Sequence, residues 1–132
     1  MIEVSCAIIV RNAQMLAVQR GPESSHPLKW EFPGGKIQDG ETAEECIIRE
    51  IEEELTIGID LVAQLDAVEF DYGTKQIKLI PFVCRIKNGQ IALTEHVDKC
   101  WINPDNWQSL DWAAADYELI LKNLNRITMF VG

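Results

Sequence analysis

The residues of this chain best suited to chemistry are Glu50, Glu53 and Glu54, with Arg49 beside them. At spacings of i, i+3 and i+4, three carboxylates share one side of a helix. Each like-charged pair costs an isolated helix about 0.2–0.5 kcal/mol. Such a trio is either a solvated face or a set of ligands held together by a cation. Two features favour the cation. The acids border the apolar stripe of their helix instead of opposing it, so they lie near the protein body, where repulsion is harder to screen. They also follow Pro33-Gly34-Gly35, a loop able to bring bare backbone carbonyls close to them. Carboxylates plus a carbonyl form a hard-oxygen set suited to Mg²⁺ or Mn²⁺, with positions left open for water and phosphate.

The helix that carries these acids is legible from its ends and its period. Thr42-Ala43-Glu44-Glu45 is a capping box, and the helix it opens is expected to run to about Leu55. At 100° per residue Ile47, Ile48, Ile51 and Leu55 form the inward face, with Glu50, Glu53 and Glu54 in the adjoining arc. Around it, residues 4–10 read as a strand buried on both faces, and 16–20 as a second strand after Asn12-Ala13. Residues 21–27 read as an irregular loop, and Trp30-Glu31-Phe32 as a short strand stopped by Pro33-Gly34-Gly35. Strand-like segments follow at 57–70 and 75–86. Asn88-Gly89 is a hairpin turn leading into a strand at 90–93, and Trp101-Ile102 is a last short strand. A second helix is expected over 113–123, with Ile120, Leu124 and Ile127 spaced for burial. Strands surrounding two helices make a compact α/β or α+β sandwich.

Gly35, Glu41 after five intervening residues, and after seven more Arg49-Glu50-Ile51 with Glu53-Glu54 together resemble the Nudix box, the signature of the Nudix hydrolases. One position departs: Thr56 stands where the box has a glycine that ends the helix in a left-handed turn. A β-branched residue adopts that turn poorly, which leaves Gly58 to supply it. The resemblance implies an α-β-α sandwich with a mixed sheet between helices. It also implies Mg²⁺-dependent (or Mn²⁺-dependent) hydrolysis of a pyrophosphate bond in a nucleoside diphosphate derivative. Glu50 and Glu54 are then the principal metal ligands, with Glu53 completing the cluster and the Gly34 carbonyl contributing from the loop. Arg49 orients a carboxylate of the cluster, and Glu41 is a structural anchor.

Most of the chain is similar to the MutT-like branch, which cleaves nucleoside triphosphates to monophosphate and pyrophosphate. Trp30-Glu31-Phe32-Pro33-Gly34-Gly35-Lys36 resembles that branch's lead into the box. Glu95-His96 with Trp101, and Leu110-x-Trp112-Ala113-Ala114-Ala115-Asp116, resemble its C-terminal pattern. By that resemblance Glu95 reaches the metals from a loop. Glu53 and Glu95 are the candidates to take the proton of the attacking water, and Arg49 joins them in the catalytic set. Arg20, Gly35 and Lys36 are candidate substrate contacts, Phe32 and Tyr72 offer stacking surface, and Asp116 is the candidate base reader. The competing reading of Asp116 is a cap on the second helix. Two subgroups fit, one acting on CTP or dCTP and one on oxidised purines such as 8-oxo-dGTP. The alternatives are a Nudix hydrolase of dinucleotides such as NADH or ADP-ribose, and a Nudix module that binds a nucleotide without cleaving it. The intact box glutamates speak against the second. His26 and His96 lie too far apart in sequence to be proposed as a metal pair.

Composition agrees with this reading. The chain has 132 residues, 47% of them hydrophobic and 25% charged, as expected for one domain over 1–132. Its net charge is −9, and residues 41–54 hold seven acids against Arg49. That balance argues against polymeric nucleic acid or an anionic membrane as partner without a cation; a nucleoside triphosphate as partner is what the resemblance implies. No stretch approaches the ~20 apolar residues of a membrane-spanning helix, and Met1-Ile2-Glu3 does not open a signal peptide. Four cysteines without a C-x-x-C pair are expected to be reduced and mostly buried, in a cytoplasmic protein that is a monomer or homodimer.

Overall fold

A computed structural model describes residues 1–131. Strand β1 (Ile2–Arg11) turns back into β2 (Gln14–Gln19) through Asn12 and Ala13, whose φ angles are 51° and 60°. Strand β1 also pairs in parallel with β7 (Gln76–Asn88), from Ile2 opposite Ile77 to Ile9 opposite Cys84. Cys6, Ile8 and Val10 enter one core and Ala7 and Ile9 the other. A strand covered on both faces has no solvated side, which explains its nearly unbroken apolar run.

Strands β3 (Trp30–Glu31) and β8 (Asp98–Ile102) flank β2, and β4 (Gly34–Lys36) pairs antiparallel with β1. Strands β5 (Gly58–Gln64) and β6 (Val68–Asp71) pair antiparallel with β7, completing a mixed eight-stranded sheet. Helix α1 (Ala43–Leu55) covers one face with Ile47, Ile51 and Leu55. Helix α2 (Ala114–Val131) covers the other with Leu119, Ile120 and Ile127. The result is the α-β-α sandwich expected above.

Several expectations need correction. Residues 57–70 form two strands, because β5 carries register shifts and, after a last bond from the Leu65 amide to Pro81 of β7, Asn123 of α2 bonds the Asp66 backbone from both sides. Gly34 and Gly35, read with Pro33 as a stop, instead belong to strand β4; glycine lets the chain lie close, since a side chain at Gly34 would strike the Ser5 backbone of β1. Residues 90–93 are not a strand, for the Ala92 amide is spent on the Leu55 carbonyl of α1. Helix α2 starts one residue later than expected and continues to Val131, with Ile127 and Val131 buried beyond the expected end.

Within α1, Ile48 is 42% exposed while Cys46 and Glu54 are buried, so the inward face is rotated toward the acids. Thr56 itself takes the left-handed turn at φ 61°, and Gly58 is not at positive φ. The Thr56 hydroxyl is shared between the carbonyls of Leu55 at 2.6 Å and Gln90 at 3.2 Å. Of the four free cysteines, Cys6, Cys46 and Cys84 are buried and Cys100 partly so. Among the described residues no helix is long and apolar enough to cross a membrane.

Candidate active site

The N-terminal end of α1 is built as the capping box predicts: the Glu45 amide donates to the Thr42 hydroxyl, and the Thr42 amide to the Glu45 carboxylate. One turn later Arg49 gathers the acids. Its Nε and Nη2 grip both oxygens of Glu41 at 2.7 and 2.9 Å, and its Nη1 donates to Glu50 at 2.9 Å and Glu53 at 3.2 Å. This fork pulls the Glu41 carboxyl down to about 2 and raises the Arg49 guanidinium further above its already high value. The Glu50 carboxylate lies against Gly35, where any side chain would collide with it.

The C-terminal end of α1 positions a loop. A helix leaves its last carbonyls unpaired, and here residues 92–94 meet them. The Ala92 amide donates to Leu55, the Thr94 amide to Glu54, and the Thr94 hydroxyl to Glu53 at 2.8 Å. The Val97 amide donates to Gln19 of β2. Held at both ends, the loop carries Glu95 and His96 to the acidic side of α1.

Glu54 is 2% exposed, with Glu50, Glu95 and Glu31 around it. Burial first, then the neighbouring Glu50 carboxyl, then the charges of Glu95 and Glu31 push its pKa up to about 10. Such a carboxyl asks for either a proton or a cation. Its donor chemistry suits a hard divalent ion; Glu50 and Glu95 are carboxylates the structure sets beside it, and Glu53 is its neighbour in sequence. Among the described residues no three His, Cys, Asp or Glu side chains are already gathered closely enough to hold a metal ion. Glu53 sits at the rim, its side chain 59% exposed and tied to Arg49.

Beside the acids a cavity of about 240 Å³ is lined by Arg20, Phe32, Gly34, Gly35, Lys36 and Asp116, with Glu31, His26, Tyr72 and Lys75 contributing. Gly35 therefore touches both the cavity and Glu50. The segment before α2 pairs with β3, the Ala113 amide donating to Trp30 at 2.8 Å, and this sets Asp116 under Phe32. Asp116 accepts the Phe32 amide at 3.0 Å. It lies within the first turn of α2, two residues past Ala114, the first residue of that helix. Burial, then the charge of Glu31, holds its pKa well above the usual carboxylate value. Tyr72 accepts the Ala115 amide on its hydroxyl, and its ring stands 4.6 Å from that of His26. Phe32 packs on Trp112 at 5.1 Å.

Arg20, Phe32, Gly35, Lys36, Tyr72 and Asp116 thus share one cavity, while Glu50, Glu53, Glu54 and Glu95 collect about the C-terminal half of α1. Sequence reasoning missed Glu31 and His96. Glu31 accepts from Arg20 at 2.9 Å and contacts His96 Nε2 at 3.0 Å. It stood in the Trp30-Glu31-Phe32 strand, but no local signal pointed its side chain at the acids. His96 was visible only as the neighbour of Glu95. His26, also set aside, lines the cavity.

A family profile described as NUDIX domain matches residues 1–122. The CTP pyrophosphohydrolase of Escherichia coli (strain K12) is 30% identical over 120 residues, covering 91% of this chain and 89% of that protein. The 8-oxo-dGTP diphosphatase of Haemophilus influenzae is 31% identical over 126 residues, covering 93% and 92%. Among solved structures, the E. coli ORF135 protein superposes with a TM-score of 0.81 at 28% identity, covering 95% and 89%. A MutT protein from Methanosarcina mazei Go1 shares the fold, with a TM-score of 0.83 at 23% identity over 95% and 93%.

Proposed function

This chain belongs to the Nudix family of hydrolases, and we propose that it is an Mg²⁺-dependent nucleoside triphosphate pyrophosphohydrolase. It converts an NTP or dNTP, with CTP, dCTP or 8-oxo-dGTP as the candidate substrates, to the monophosphate and pyrophosphate. The observation that carries this reading is the meeting at Gly35 of an acidic cluster built around the buried Glu54 and a cavity floored by Asp116. One half suits a cation with its phosphates, the other a base.

In this reading Glu50 and Glu54 hold the cation, with Glu53, Glu95 and the Gly34 carbonyl completing its oxygen set. A bound Mg²⁺ or Mn²⁺ supplies charge neutralisation of the phosphates and a more acidic water. Arg49 is a positioning residue, fixing Glu50 and Glu53 against the Glu41 anchor. Arg20 and Lys36 place positive charge along the cavity wall for the phosphates. Phe32 and Tyr72 offer apolar surface to the base, and Asp116 reads its polar edge. Asp116 with its proton retained both donates and accepts, which suits a base presenting both kinds of group. We assign proton acceptance from the attacking water to Glu95, because Glu53 is engaged by Arg49. The expected consequence is that Glu95→Gln lowers kcat roughly 10²- to 10⁴-fold with little change in thermal stability. Steady-state kinetics and a melting curve check it, and near-normal turnover returns the role to Glu53.

The proposed setting is the cytoplasm. The deciding experiment incubates the protein and Mg²⁺ with canonical and oxidised nucleoside triphosphates and identifies the phosphate product. Release of pyrophosphate is expected; cleavage of NADH or ADP-ribose alone overturns the substrate class.

A further inference from the structure

The His96 ring has no part in the mechanism above, yet it lies between two of the carboxylates that crowd the site. Its Nε2 is 3.0 Å from Glu31 Oε2, and its Nδ1 is 3.8 Å from Glu54 Oε1. The His96 side chain is only 6% exposed and that of Glu54 3%. Arg20 holds the other oxygen of Glu31 at 2.9 Å, so that carboxylate is clamped on both sides. A carboxylate only accepts, so the Glu31 contact places the ring proton on Nε2. Nδ1 of the neutral ring is then an acceptor. It is buried and has no hydrogen-bond partner among the described residues.

Buried polar atoms are nearly always paired, and the polar side-chain atom set near Nδ1 is Glu54 Oε1, 3.8 Å away. Glu54 is too distant for a direct bond. Two acceptors 3.8 Å apart can, however, share one water that donates to both. Waters on a small divalent cation are such donors, since Mg²⁺ gives up its hydration reluctantly.

We propose that His96 is a positioning residue of the cation site, its Nδ1 accepting a hydrogen bond from a water carried by the ion, with Glu31 and Arg20 fixing the ring. The inference rests on the assignment of Glu50 and Glu54 as cation ligands. It adds a chain of contacts, Arg20 to Glu31 to His96, that joins the cavity wall to the acids. The loop that delivers His96 is the one bonded to the end of α1, so ligand helix and ring are held as a unit.

The test is Mn²⁺ binding without nucleotide, with free Mn²⁺ followed by electron paramagnetic resonance, for the wild type and His96→Asn, His96→Gln and His96→Ala. Asparagine keeps a polar atom near the Nδ1 position; glutamine keeps one near Nε2. The expected result is roughly 10- to 100-fold weaker Mn²⁺ binding in the Gln and Ala variants, with most of the affinity recovered in the Asn variant. Circular dichroism and melting curves establish that each variant is folded. Should the Ala variant fail to fold, the Asn and Gln pair decides. Rescue by Gln and not by Asn would mean that His96 merely anchors Glu31, and would overturn the proposal. So would equal Mn²⁺ affinity in all four proteins. A wild-type protein that binds no Mn²⁺ even at millimolar concentration removes the cation site itself, a failure distinct from that of His96.

Discussion

Asp116 accepts the buried Phe32 amide and also lines the cavity, so its variants separate a structural bond from a recognition role. Asp116→Ala leaves that amide without an acceptor, and a loss of about 1–3 kcal/mol is expected from denaturant unfolding. Asp116→Asn retains an acceptor and is expected to keep most of the stability while changing the ratio of kcat/KM values between CTP and 8-oxo-dGTP. Unchanged discrimination in the Asn variant would remove Asp116 from base recognition. The same residue makes a pH prediction. Because its folded pKa is raised, native Asp116 binds a proton that the unfolded chain releases near the ordinary aspartate value. Its stabilising contribution is complete below that value and is lost as pH rises through the folded pKa. Between pH 5 and 8 the wild type should therefore lose more stability than Asp116→Asn, measured as the shift of the urea midpoint.

At the scale of elements, the end of α1 and the loop at residues 90–97 form one piece of machinery. Thr94 caps two helix carbonyls with its hydroxyl and a third contact with its amide. Replacing it by valine removes the hydroxyl at nearly constant shape. The expected cost is about 1–2 kcal/mol, with faster hydrogen exchange at the Ala92 and Thr94 amides and lower kcat, because Glu95 and His96 follow directly. Wild-type exchange at those amides would separate the loop from the helix end. The hairpin between β1 and β2 offers a control far from the chemistry. Ala13 sits at φ 60°, where glycine is the usual occupant of a two-residue turn. Ala13→Gly is expected to gain up to about 1 kcal/mol at unchanged kcat, checked by the urea midpoint and steady-state rates.

Across the whole molecule, a net charge of −9 opposes a triphosphate, and most of the excess lies on the helix that must approach it. Folding brings Glu31 and Glu95 to the same place, which sharpens the conflict instead of relieving it. Cation binding should therefore couple to folding. At Mg²⁺ one hundred times its dissociation constant, about 2.7 kcal/mol of added stability is expected. It would be read as a rise in Tm that a chelator reverses and that Glu54→Gln lacks. A Tm indifferent to Mg²⁺ in the wild type would contradict the cation assignment.

What could be read without a structure was whatever depends on neighbours along the chain. The capping box at Thr42, the inward face of Ile47, Ile51 and Leu55, and the box spacing from Gly35 to Glu54 all follow from one helix's period. Even there the wheel missed the rotation that buries Glu54 and exposes Ile48, since the sheet sets that angle. Contacts between distant residues were decided by the tertiary structure alone: Asp116 with Phe32 across 84 positions, and His96 with Glu31 across 65. The path of residues 90–93 belongs with them, because those amides had two possible destinations, a neighbouring strand or the open end of α1. Local propensity carries no information about which partner a fold brings within reach, and burial, which turns an ordinary glutamate or histidine into part of a site, is a property of the packed whole.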